Sequence, residues 1–162
     1  MNAHPTFALA PEHPAPVRQA CLRPAERFTG RFLSTFAEFE FWVVERLNLA
    51  QPSVKAGKPV GQRIEDFRAA LKNHPEIVRA PDDVDKLLDR LQPYVRLRSV
   101  LAHARVTALT GGAEPIYLFE TPTPVVDDPS KVRTVLRGRE FETLRRGLSE
   151  LIEALKQQTR DG

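Results

Sequence analysis

The stretch RFTGRFLSTFAEFEFWVVERLN, residues 27–48, decides the fold class. Phe28, Phe32, Phe36, Phe39, Val43 and Leu47 recur in it at steps of three and four, the spacing of one face of an α-helix. So wide an aromatic stripe must be covered by other elements, and the neighbouring sequence offers them. Downstream, Gln51-Pro-Ser-Val-Lys-Ala-Gly-Lys-Pro-Val-Gly61 is a breaker-rich loop. The pattern then predicts a shorter helix from about Gln62 to Asn73, burying Ile64, Phe67 and Leu71 and ended by Pro75. Upstream, Pro5, Pro11, Pro14, Pro16 and Pro24 block a helix, so residues 1–26 read as a proline-rich tail, either disordered, the favoured reading, or packed on the body as an extended strap.

Pro81-Asp82-Asp83 suits the start of a third and longest helix. Its stripe runs through Val84, Leu87, Leu88, Leu91, Val95, Ala102 and Val106 to about Thr107. Pro93 falls inside it, and because the stripe keeps phase across the proline, a kink is predicted rather than a break. Gly111-Gly112 closes this helix. Ile116–Glu120 and Val132–Leu136 are short β-prone runs joined by a Pro- and Asp-rich turn, which reads as a hairpin. A last amphipathic helix, about Glu140 to Gln158, uses Phe141, Leu144, Leu148, Leu151, Ile152 and Leu155. The expected class is mainly α: a four-helix bundle with a β-hairpin inserted between its third and fourth helices. One domain is expected over 27–158, with 159–162 as a C-terminal tail.

Composition narrows the function. The 162 residues carry a net charge of +3, and arginine outnumbers lysine 18 to 6, which suits an anionic partner as well as a compositional bias. One cysteine, Cys21, excludes a disulfide framework and a cysteine-built zinc site. No apolar run approaches the roughly 18 residues of a membrane span, and the first residues lack a charged start followed by an apolar stretch. A soluble, cytoplasmic protein is the expectation. Gly57-Lys58-Pro59-Val60-Gly61 has the wrong spacing for a phosphate loop, and Pro59 removes an amide donor. There is no nucleophile elbow, paired-histidine zinc helix or calcium loop, so neither cofactor nor metal is expected.

Of the four histidines, His4 and His13 lie in the tail and His74 precedes Pro75, whereas His103 lies on the longest helix. On a helical wheel Arg98 falls about 40° from the stripe through Leu91, Val95 and Ala102, among apolar neighbours. A core guanidinium without a partner is too costly to keep. Glu40 falls between Leu33, Val44 and Leu47 on the first helix, so it is the candidate partner, either fixing helix register or orienting Arg98 towards a phosphate. His103 lies roughly 100° from the stripe centre, with Ser99 one turn earlier. Leu97, Val100 and Leu101 make a second apolar arc, which suggests a second subunit.

Arg98-Ser-Val-Leu-Ala-His103 resembles the Arg-x(4–6)-His signature of the HEPN superfamily, helical proteins many of which are metal-independent RNases. Arg68 with His74 and Arg96 with His103 fit the same spacing, but the Leu-Ala-His run and the arginine in an apolar stripe favour Arg98. The hairpin and final amphipathic helix are also similar to several bacterial HEPN-like families. The resemblance spans about residues 27–158, with the six-residue motif as its specific part. It implies a homodimer in which two motifs line one cleft and act on RNA. His103 would move the proton and Arg98 would stabilise phosphate charge, with Glu40, Ser99, Arg96 and Arg105 in support. The nucleophile would be the RNA 2′-hydroxyl. Toxins of this family, paired with antitoxin-like proteins, commonly carry a tyrosine where this chain has Arg105, and members often have Asn, Asp or His where it has Ser99. Other members are non-catalytic modules for dimerisation or for binding nucleotide, RNA or protein.

Overall fold

The computed structural model describes residues 22–50, 57–109, 112–122 and 133–159. The aromatic stripe forms α1 (Arg23–Ala50), and all six of its residues are buried together with Trp42. The helix starts four residues earlier than the prolines suggest. Pro24 sits in the first turn, where its missing amide costs no intrahelical bond, and Ala25 is already buried. The rest of the expected tail, residues 1–21, lies outside the described residues, as do 51–56 of the following loop.

α2 (Val60–Asn73) buries Ile64, Phe67, Ala70 and Leu71, and a single 3-10 turn over Pro75–Ile77 leads on to α3 (Pro81–His103). Arg68 links the two helices, giving bonds of 2.6 Å to Asp85 and to Asp89, which sit one turn apart on α3. Pro93 lies within α3 and the helix continues through it.

Beyond Pro93 the expected stripe departs from the structure. Leu101 is buried and Ala102 is exposed. The helix ends at His103, and Ala104 turns to extended backbone with φ −78° and ψ 141°. Arg105–Leu109 is strand β1, not a last helical turn. It pairs antiparallel with β2 (Ile116–Glu120), which pairs with β3 (Arg133–Arg137) in the order β1-β2-β3. The insertion is therefore a three-stranded sheet and not a two-stranded hairpin. Val106 and Thr107 are β-branched, and the alternation of this segment buries Ala108 opposite the buried Tyr117. Gly111 lies outside the described residues, but α3 has already ended at His103, well before the Gly111-Gly112 pair expected to close it.

α4 (Gly138–Lys156) follows β3 directly. Its start is held by two carboxylates: Glu140 accepts the Arg137 amide at 2.6 Å and Glu114 accepts the Arg139 amide at 2.7 Å. Phe141 stacks on Phe28 with centroids 4.4 Å apart and also meets Tyr117, tying α4, α1 and the inner face of the sheet into one core. At the far end Lys156 reaches Glu38 on α1 at 2.7 Å. Trp42 donates its indole N–H to Thr159 Oγ1 at 3.0 Å, and Thr159 bridges to Val78. Thr159 thus belongs to the folded body and not to the expected C-terminal tail. No helix among the described residues is long and apolar enough to cross a membrane.

Gly147, in the middle of α4, faces Tyr94, and a Cβ there would collide with the tyrosine hydroxyl. The Tyr94 ring is itself packed against Phe32, with centroids 6.4 Å apart, and cannot simply swing away. Gly147→Ala should therefore lower stability by about 1 kcal/mol, the overpacking cost exceeding the gain in helix propensity. In a Tyr94→Phe background the same change should stabilise. Paired denaturant melts showing the same sign in both backgrounds would reject this contact.

Candidate functional site

Glu40 is the centre of the polar cluster that the wheel anticipates. It sits half-buried on α1 among Phe36, Phe39, Val43 and Val44, where a carboxylate without partners would be costly. Arg98 donates to its Oε1 from Nε at 3.1 Å, and Arg98 Nη2 lies 3.1 Å from the same oxygen. The second oxygen, Oε2, is 3.8 Å from Arg63 Nη1 on α2. One carboxylate therefore serves two guanidinium groups from two other helices, and the cluster keeps one net positive charge. Arg98 remains about a third exposed, so it rims the core and does not lie inside it. Its Nε/Nη2 edge is docked, and Nη1 has no partner among the described residues.

Arg63 is the member of this cluster that sequence reasoning missed. It neighbours the Ile64–Phe67 stripe of α2, but no periodicity says that α2 crosses α1 beside Glu40. Its Nε is buried without a hydrogen-bond partner among the described residues.

His103 is the last residue of α3, exposed, with no hydrogen-bond or ion-pair partner among the described residues. It lies five positions after Arg98, so the two leave the helix about 7.5 Å apart along the axis and about 140° apart around it. Ser99 and Arg96 are exposed on the same helix. Arg105 does not continue that helix: it opens β1, opposite Glu120 on β2. The other pairs of matching spacing fare differently. Arg68 is committed to Asp85 and Asp89, and His74 lies 3.2 Å from Glu76.

The second apolar arc of α3 is covered within the chain. Leu101 is buried, and Leu97 and Val100 pack half-buried against the core. None of the three is exposed, so the arc is not the open apolar face that the sequence suggests. No three His, Cys, Asp or Glu side chains converge as a metal site among the described residues. Compared with family models, curated proteins and solved structures, the chain matches none.

The Glu40–Arg98 pair should be measurable as an energetic coupling. Removing Glu40 alone leaves two half-buried cations facing each other, so it should cost more than removing Glu40 and Arg98 together. A double-mutant cycle in urea should give a coupling of about 1–2 kcal/mol, below the range for full burial because water reaches Arg98. A coupling under about 0.5 kcal/mol would reject the pair.

Proposed function

We propose that this chain is a metal-independent endoribonuclease of the HEPN type, acting as a homodimer with Arg98 and His103 as its catalytic pair. The observation that carries the reading is the posture of Arg98. Glu40 fixes one edge of the guanidinium and leaves Nη1 without a partner among the described residues, the arrangement needed to present a rigid fork to a phosphate. His103 supplies an exposed imidazole on the same helix, engaged with nothing among the described residues. In the proposed step His103 takes the 2′-hydroxyl proton as that oxygen attacks the adjacent phosphorus. The 5′-oxygen leaves with a proton from an acid, and Arg98 holds the charge on the non-bridging oxygens.

The wide angle between Arg98 and His103 on one helix is the reason for the dimer. A scissile phosphate gripped by both is most simply shared between two copies, one giving the arginine and the other the histidine. Light scattering should then report twice the 18.3 kDa chain mass, and a monomer at micromolar concentration contradicts this part of the proposal. A toxin or defence effector with an antitoxin-like partner is the biological setting such an activity would suit.

The test is cleavage of single-stranded RNA in excess EDTA by protein prepared in parallel with His103→Ala. The nuclease reading requires loss of cleavage in the variant with fold and mass unchanged. Equal cleavage by both defeats it. That outcome favours a second reading, a non-catalytic HEPN-like dimerisation module that binds nucleotide, RNA or a partner protein. The same cluster supports it, since one carboxylate tying α1, α2 and α3 together is also a register device.

A further inference from the structure

A second cationic feature lies on the other side of α1. Arg23, Arg27 and Arg31 follow one another at four-residue steps, so they stack along one edge of the helix about 6 Å apart. None has an ion-pair partner among the described residues. They form one wall of a groove of about 350 Å³ whose other wall is the start of α4, with Arg145 and Glu142. The floor is the stacked Phe28–Phe141 pair, whose rings are almost wholly covered. Arg31 lies nine residues before Glu40, about 13 Å along α1 and half a turn around it, so the groove is separate from the Arg98 cluster.

This arrangement works against the stability of α1. Like charges four residues apart repel, and cations in the first turns oppose the positive end of the helix dipole. Arg68 and Arg98, by contrast, are each held by acids. Within the groove four guanidinium groups face one carboxylate, that of Glu142. Arg145 grips that carboxylate with two bonds, 2.7 and 3.1 Å, and the grip, with further pull from Arg146 and Arg31, holds Glu142 below the usual carboxylate range. The preceding segment does not neutralise the groove by its own charge, because residues 1–21 contain one acid, Glu12, and one arginine, Arg18.

We propose that the groove between the N-terminal halves of α1 and α4 binds the phosphodiester backbone of a single-stranded nucleic acid, with Arg23, Arg27 and Arg31 as successive phosphate contacts. A row of evenly spaced forks fits a chain of evenly spaced anions better than one compact ligand. The concave shape favours a strand over a flat membrane. The covered aromatic floor leaves no ring face for bases to stack on, so the contacts are to the backbone and binding is indifferent to sequence. This site stands independently of the nuclease reading.

The experiment is fluorescence anisotropy of the whole protein with labelled 12-mers of 2′-O-methyluridine and of thymidine, neither of which offers a 2′-hydroxyl for cleavage. Both should bind, and Arg27→Gln with Arg31→Gln should weaken binding at least about fivefold. The slope of log affinity against log salt should fall by about 1.4, some 0.7 for each lost contact. Glu142→Gln removes the opposing charge and should tighten binding about twofold, a gain that misfolding cannot imitate. As control, Arg90→Gln with Arg133→Gln removes equal charge from exposed positions outside the groove. An unchanged affinity and slope in the groove variant, or an equal loss in the control, overturns the proposal. So does capture by phosphatidylglycerol vesicles that depends on Arg27 and Arg31 without any binding of the oligonucleotides.

Discussion

Phe36→Ala should destabilise the protein by about 3–5 kcal/mol, the cost of emptying a fully enclosed aromatic site. Phe36 is fully buried and lies between Phe32 and Phe39, with ring centroids 6.3 and 5.5 Å away, at the middle of the stripe that organises all four helices. Its neighbours are themselves pinned, Phe32 by Tyr94 and α1 by α4, so the cavity has little freedom to collapse. Against a total stability of about 5–15 kcal/mol, such a loss brings the fold close to its limit. Phe41 is the built-in comparison. It is on the same helix, five residues away and 72% exposed, so Phe41→Ala should change stability by no more than about 0.5 kcal/mol. Urea melts placing the two variants within about 1 kcal/mol of each other would contradict the assigned core.

The other large effect follows from the proposed nuclease reading. His103→Ala should lower the rate of RNA cleavage by about 10²-fold or more, the usual size of a general acid–base contribution. Because His103 is exposed and engaged with nothing among the described residues, the variant should keep its fold and its melting curve. Arg98 behaves differently. Arg98→Ala strips Glu40 of its closest partner and mixes a stability loss into the rate, whereas Arg98→Lys keeps the charge and loses the fork. Arg98→Lys should therefore depress kcat while leaving the fold intact. A lysine variant as active as the wild type would remove Arg98 from the chemistry and leave it a purely structural partner of Glu40.

How far the sequence speaks depends on the range of each interaction. The stripe of α1 is legible because a buried helix repeats its apolar positions over about five turns, and Phe41 is correctly left out of it. The Glu40–Arg98 pair is legible because each charge stands in an apolar arc and has few alternatives. The end of α3 is not. Val106 fits a helical wheel as well as it fits a strand, and five residues are too few for the alternation of Arg105–Leu109 to prevail over a long helical pattern. Taken as helix, this segment leaves a two-stranded hairpin and puts Arg105 on the helix of His103; as a strand it makes the sheet three-stranded. Arg63 and the arginine groove escaped for another reason. Both depend on which helix lies beside which, and periodicity along one segment does not encode the crossing of two.

The most direct test of the central claim uses a DNA strand with a single ribonucleotide at its middle, incubated with the wild-type protein in excess EDTA. Attack by the 2′-hydroxyl requires one cut, at the ribonucleotide, leaving a 2′,3′-cyclic phosphate detectable by mass spectrometry, and no cut in the all-deoxy strand. An intact chimeric strand under conditions where the protein is folded, or cleavage that also severs the all-deoxy strand, contradicts an Arg98–His103 ribonuclease.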